Sequence, residues 1–577
     1  MILIILAALA VRFVKLDQVP ASLYYDEIDL SYQVRSFVTT GKDYRNGWSP
    51  FFFRSFNTDK TPFPVYFSTL PSLLFKSPEY QTRAGAALAG VICVGLAMIL
   101  AYQLTRKTSV VLITGAVFAF SPWQIQFSRM AFEAIFMLVV YLASISVFWY
   151  WVKTKSGKAF FLSAFLLGLN VYTYRTMSLF APLTVILLGI IYFKEFKLVG
   201  LPKVVVWLSI LGVMILPFLY ATTIGSADQT RIGQISVLSD PMIPIKVQRG
   251  REVDSNDFGN PQIGKSAVWW SPIFHNKVLG YITNFGENYY KSFSTEFLFL
   301  SGDPNGRHSP SRTGVLLFVD IIGLVAGLVM VGKNIRDKKY QLLLALLLLS
   351  PIPADLTMDG ANHASRLMIM AGPLLLIVGL GYAEIIGRWI KNKRYWPGIA
   401  LLATIWIIAV IFFLQQYLVH FPIESSRQFG YGYKQAIQKI TELKERYRAV
   451  RLTNLNDPPM LYYLYWSDTL PKDVQTYGSN FDRKTYKNMP LDAVKPESWG
   501  KVCTIEEIAK LDPNTIYMVG FTNLPMDFRS SDKDGVPAGI KLIDVIKYPD
   551  NEIAYYLITR DTKNGVAVMP EKVSACK

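Results

Sequence analysis

Two short charged motifs near the N-terminus hold the residue types needed for acid–base work beside an anionic substrate. Asp26 and Glu27 are adjacent acids behind Leu23-Tyr24-Tyr25. A carboxylate there can serve as a general base or help hold a cation, and acids in that position also favour a helix N-terminus. Asp59-Lys60-Thr61-Pro62 sets an acid next to a base; its plain alternative is a turn closed by a solvated ion pair. Arg129 precedes Glu133 by the spacing of a helical salt bridge. Arg307 closes the turn-rich stretch Gly302-Asp303-Pro304-Asn305-Gly306-Arg307-His308, and Arg366 ends Asp359-Gly360-Ala361-Asn362-His363-Ala364-Ser365-Arg366. Lys60, Arg129, Arg366 and Arg307 would together suit a lipid-linked phosphate.

The elements that position these residues are set by composition. Of 577 residues 51% are apolar and 18% charged, with mean hydropathy +0.28. A soluble chain carries about 25% charged residues, so an ordinary soluble enzyme is excluded. A disordered chain and a disulfide scaffold are excluded by the apolar content and by the three cysteines. Apolar blocks of near-spanning length run over 1–16, 82–103, 109–128, 131–152, 159–174, 178–193, 204–220, 313–332, 340–354, 365–387 and 396–417. The expected fold is therefore an α-helical polytopic membrane protein of about eleven spans. The first block is read as a true helix and not a secretory signal, since ten more follow it. Asp320 and Glu384 fall within spans, where a helix-end position or packing would account for them.

Charge orients the set. The short loops 104–108, 153–158, 194–203, 333–339 and 388–395 hold 16 basic residues against two acids, Glu195 and Asp337. Short basic loops stay in the cytoplasm. The segments 17–81, 221–312 and 420–577 hold 37 basic and 35 acidic residues, so the net charge of +17 reports topology and does not imply nucleic-acid binding. This reading puts the protein in the plasma membrane with its N-terminus cytoplasmic and its three long segments extracytoplasmic.

Residues 1–420 form the expected membrane domain, with outer loops 17–81 and 221–312. In the first loop, interfacial helices are expected from Asp26 to about Thr39 and from Pro62 to about Lys76. Residues 421–577 read as an extracytoplasmic α/β domain, with a helix at about 428–447 and strands at Ala449–Leu452, Thr515–Val519, Ile540–Ile546 and Ile553–Ile558. Cys503 and Cys576 lie there and could pair; Cys93 is in a span.

Over roughly residues 1–420 the chain resembles the polytopic glycosyltransferases of the C-type fold, which use polyprenyl-phosphate sugars. The likeness rests on a first span followed at once by Tyr25-Asp26-Glu27, then Asp59-Lys60-Thr61-Pro62, then the Ser128-Arg129 to Glu133 junction. Within that family it resembles protein O-mannosyltransferases, lipid A aminoarabinose transferases and lipopolysaccharide-core galacturonosyltransferases. The resemblance implies that Asp26, with Glu27, lies at the catalytic centre and that Lys60 binds the donor phosphate. Thr61 replaces the family's usual first proline, and Asp59 its usual glutamate. The resemblance also leaves room for a divalent metal, with Asp59 and His308 as candidate ligands and His275 as a second histidine.

The implied reaction is transfer of a sugar from a polyprenyl-phosphate donor to a hydroxyl of a protein, lipid or glycan acceptor among the outer membrane lipids. One base and no evident nucleophile pair suggest a single inverting displacement through an oxocarbenium-like state. No Gly-rich nucleotide cradle stands out, so no nucleotide cofactor is expected. The alternative is a transporter or flippase of lipid-linked glycans, although no paired halves with broken helices are visible.

Overall fold

The computed structural model describes the whole chain except residues 49, 57–58, 224–235, 256–267, 311–312, 444–445, 448, 453–458, 477–493, 496–510, 521–523, 525–538 and 562–577. Cys503 and Cys576 lie outside the described residues, so their pairing is not addressed; Cys93 is buried with a free thiol.

Each apolar block of the sequence overlaps at least one helix. The first helices are α1 (Ile2–Phe13), α2 (Tyr25–Thr40), α3 (Pro62–Ser72), α4 (Pro78–Thr105), α5 (Thr108–Phe120), α6 (Pro122–Ser128) and α7 (Glu133–Thr154). Helices stand at both places expected in the first loop, as α2 and α3. The count of spans differs from the expected eleven. Five helices among the described residues are long and apolar enough to cross a bilayer, or seven if two bent pairs each count as one. The chain is a multi-pass membrane protein.

The shortfall has local causes. Block 109–128 bends by 57° between α5 and α6, because Ser121 is held extended by the proline that follows it. The first block stops at Phe13, where Val14 turns extended and Lys15 takes a left-handed φ of 52°. Block 313–332 becomes helical only from Asp320. There the carboxylate accepts from the Leu317 N–H (3.1 Å), the Tyr382 hydroxyl (3.1 Å) and the Trp406 indole (3.2 Å). Asp320 is thus a helix-start acid, and Glu384 pairs with Arg388 one turn on at 2.6 Å. The helix from Asp320 packs against Met368–Trp389 through glycines. A Cβ on Gly381 would lie 1.8 Å from the Gly323 carbonyl oxygen, so only bare backbone permits this approach.

By its contacts the chain divides into two compact units. One comprises Met1–Val14, Ala86–Ser128 and Phe132–Leu414; the other comprises Lys15–Gly85, Arg129–Ala131 and Gln415–Lys577. The first loop thus groups with the C-terminal segment. In this second unit a five-stranded mixed sheet has the order β2-β1-β3-β5-β4, with β1 Ala449–Leu452, β2 Val494–Lys495, β3 Thr515–Gly520, β4 Ile540–Lys547 and β5 Ile553–Arg560. Strand β1 pairs parallel with β2 and β3, and β5 antiparallel with β3 and β4. Alternate residues of β3 enter two different cores, Ile516 and Met518 one, Tyr517 and Val519 the other, as the period-two pleat requires. The first of these cores also takes in Tyr25, Ile28 and Tyr32 of α2 and Tyr433, Ile437 and Tyr462 of the C-terminal helices. Helix α2 is therefore held by aromatic packing along one face, and that fixes where its acids point.

Candidate active site

The first cluster lies in the second unit. An antiparallel bridge between Phe53 and Lys60, with bonds of 2.9 and 2.8 Å, sets the backbone of Lys60 just before α3. Its ammonium reaches the Asp26 carboxylate at 2.6 Å and that of Asp29, one helical turn on, at 3.6 Å. The two acids differ sharply in setting. The Asp26 side chain is 49% exposed and that of Asp29 only 1%. Asp29 accepts from the Tyr44 hydroxyl (2.7 Å) and the Ser55 hydroxyl (2.5 Å). Burial pushes its carboxyl up from the usual 3.8 to about 6, against the opposing pull of Lys60. The arrangement is one accessible carboxylate on a nearly buried ammonium, braced from below by a sheltered acid.

Glu27, expected beside Asp26 at the catalytic centre, points the other way and is fully buried. Its carboxylate accepts from Arg83 Nε (2.8 Å) and Nη2 (3.1 Å), and from the N–H groups of Tyr24 (3.0 Å) and Ala131 (3.1 Å). Arg83 in turn donates to the carbonyls of Leu16, Pro20 and Ser22 at 3.0, 2.9 and 2.6 Å. All four lone pairs of Glu27 are engaged, so it has no site left to accept a substrate proton. Arg129, also buried, donates to the carbonyls of Lys15 and Val19 at 3.1 Å each and lies over the Tyr417 ring. Both arginines tie the loop of residues 15–22 to its surroundings.

Asp59 accepts the Ser55 N–H at 3.1 Å. Among the described residues it joins no group of metal-ligating side chains; such a group is formed by Asp303, His308 and His363, in the first unit. Ligand atoms of these three lie within 4.8 Å of one another. The donor set of two imidazoles and a carboxylate suits zinc or a related divalent ion. His363 Nδ1 is buried with no hydrogen-bond partner among the described residues, an orphan that a metal would satisfy. His308 Nδ1 bonds Asp303 at 2.9 Å, and Asp303 also accepts the Ala364 N–H at 2.8 Å. Burial, then the neighbouring His308 and Arg366, hold His363 far below the usual histidine value, which keeps its ring neutral and able to ligate.

In that same unit Arg366 forks onto Asp359 and donates to the Thr357 hydroxyl at 2.6 Å. Arg307 is braced by Asn305 at 3.1 Å. His275 pairs with Asp254 at 3.2 Å and is not part of the metal-type group. Sequence reasoning passed over Asp29, Arg83, Asp303 and His363. Asp29 was signalled by its position three residues after Asp26 on a helix, and Asp303 and His363 by the turn-rich strings that contain them.

A family model for dolichyl-phosphate-mannose-protein mannosyltransferases matches residues 2–229. Among solved structures the chain is similar to ArnT from Cupriavidus metallidurans, both in the apo state and bound to undecaprenyl phosphate. The identity is 12% over 99% of each chain, with a TM-score of 0.50. The fold is the C-type glycosyltransferase fold. The resemblance drawn from the sequence is borne out. The chain is also similar to the archaeal oligosaccharyltransferase AglB from Archaeoglobus fulgidus, solved with an inhibitory peptide and a dolichol-phosphate: 11% identity, 82% of this chain, TM-score 0.48. It spans 63% of the length of that protein. No curated protein matches by sequence.

Two predictions follow from the buried acids. Glu27→Gln leaves the Arg83 charge buried without its partner, which costs about 3–5 kcal/mol. Unfolding of the purified variant in detergent should show that loss, and an unchanged unfolding midpoint would refute the structural role. For Asp29, the folded value near 6 exceeds the ordinary 3.8, so the native state holds the proton more tightly than the unfolded chain. The stability contributed is full below the ordinary value and is lost as pH rises through the folded one. Asp29→Asn should remove this step, so the thermal midpoint of the parent protein relative to the variant should fall between about pH 4 and 6.

Proposed function

We propose that this protein is a membrane glycosyltransferase that moves a sugar from a polyprenyl-phosphate donor to a hydroxyl acceptor at the outer face of the plasma membrane. The observation that carries the reading is the half-exposed Asp26 carboxylate on the Lys60 ammonium, at the start of α2. The likeness to ArnT, whose solved structure carries undecaprenyl phosphate, supports the donor class.

In the proposed reaction the donor phosphate competes with Asp26 for Lys60. That exchange places the leaving group on a cation and releases the carboxylate as base. The acceptor oxygen then attacks the anomeric carbon as the bond to the phosphate oxygen breaks. Asp26 takes the hydroxyl proton, and the departing lipid phosphate keeps the electron pair under the stabilising charge of Lys60. One displacement inverts the anomeric centre. Asp29 keeps the ammonium in place when Asp26 lets go of it. Glu27 and Arg129 act as positioning residues that hold α2 and the 15–22 loop.

Arg307 and Arg366 remain proposed phosphate contacts in the first unit. A divalent ion held by Asp303, His308 and His363 would supply Lewis-acid charge in that unit. In this proposal residues 1–420 carry the transferase and 421–577 an extracytoplasmic domain, with acceptor and sugar left to experiment.

Asp26→Asn should abolish sugar transfer from a synthetic polyprenyl-phosphate sugar in membranes, with expression and donor binding retained; full turnover removes Asp26 from the mechanism. Lys60→Ala should raise the apparent donor KM by an order of magnitude or more, as loss of a charge-assisted phosphate contact would. An unchanged donor KM would count against that role. Export of labelled glycolipid from vesicles with no new glycosidic bond would instead favour a transporter.

A further inference from the structure

Helix Lys277–Ser292 is amphipathic with its polarity reversed. Its buried stripe is polar: Asn284, Asn288 and Ser292, spaced by four. These side chains bond inward, Asn284 to Asp240 (3.1 Å), Asn288 to the carbonyls of Asp355 and Thr357 (3.2 Å each), and Ser292 to Asp355 (3.0 Å). The outward side carries large apolar residues, with exposed Thr283 and Glu287 along its flank. Val278 is 65% exposed, Ile282 60% and Tyr290 75%. Just before it, Trp269 and Phe274 are 83% and 64% exposed. The helix also packs through Gly280 on Ile243 of the helix Met242–Ser255, whose Met242 and Ile245 are likewise exposed.

A helix in water buries its apolar stripe and solvates its polar one. Here the polar stripe is the one sequestered, and the apolar one is offered outward over four turns. Such an arrangement is stable only where the surroundings are less polar than the protein surface behind the helix. The helix is too short and too polar to span, and exposed Lys277 and Lys291 stand at its two ends, where basic side chains reach anionic headgroups. A tryptophan at the entrance matches the preference of that residue for the membrane interface.

The geometry points to a lipid surface as the occupant of this face: Lys277–Ser292, with Trp269 and Phe274 ahead of it, lies in the bilayer interface with Val278 and Ile282 among acyl chains. The segment sits within 221–312, which the sequence analysis placed among the outer loops. The inference concerns anchoring and stands apart from the proposed transfer reaction.

The test uses the full chain in phospholipid nanodiscs. Spin labels on Val278→Cys and Ile282→Cys, in a background with the native cysteines replaced, should collide severalfold more with lipid-soluble oxygen than with an aqueous nickel chelate. A label on Lys541→Cys, exposed on the sheet, should show the opposite ratio. Nickel-dominated collisions at 278 and 282 would overturn the proposal. So would access to neither reagent, which would mean a second copy or another protein covers the face. If the cysteine variants fail to fold, the unaltered protein can be cross-linked to a phospholipid bearing a diazirine on its acyl chain. Adducts on residues 269–290 support the proposal, and their absence from that stretch overturns it.

Discussion

The pairing of Glu27 with Arg83 is the contact on which the first loop depends. Two opposite charges are taken out of water together, which is tolerable only if every donor and acceptor finds a partner. Here the carboxylate takes four hydrogen bonds and the guanidinium also holds the three carbonyls of Leu16, Pro20 and Ser22. The pair locks the start of α2 to the chain entering it and to α4. With Glu27 turned inward, its neighbour on the helix, Asp26, is left at the surface facing Lys60.

The second constraint is the unequal treatment of the two acids on Lys60. Both carboxylates lie within reach of one ammonium, yet one is half exposed and the other sealed beneath Tyr44 and Ser55. A lysine held only by an exposed acid would swing away with it. The sheltered Asp29, 3.6 Å from Lys60, holds the ammonium from the buried side while Asp26 meets it at the surface. The aromatic core that includes Tyr25, Ile28, Tyr32 and Tyr462 holds α2, and with it both acids, in place.

A bilayer as solvent explains two features that would be faults in water. The close glycine-lined approach of Asp320–Lys333 to Met368–Trp389 gains backbone packing where the hydrophobic effect offers nothing between helices. The reversed polarity of Lys277–Ser292 follows the same logic, with protein as the more polar side. Local breaks such as Ser121-Pro122 and Val14-Lys15 are the places where the chain leaves regular helix.

Much of this was legible along the chain. Apolar blocks of fixed length located the helices, because hydrocarbon tolerates few charges. Pattern and turn residues located α2, α3 and the strands β1, β3, β4 and β5, and Asp26 and Lys60 were named from their motifs. Local sequence could not say that Glu27 would be spent on Arg83, since that contact joins residues 56 apart. Nor could it assemble Asp303 and His308 with His363, which is far along the chain. Periodicity marked helices but not which stripe would be covered, so the inverted face of Lys277–Ser292 went unseen. Residue type and spacing set what each element can be; long-range contacts, which no short window contains, decided which side chains were consumed in holding the fold and which were left over to react.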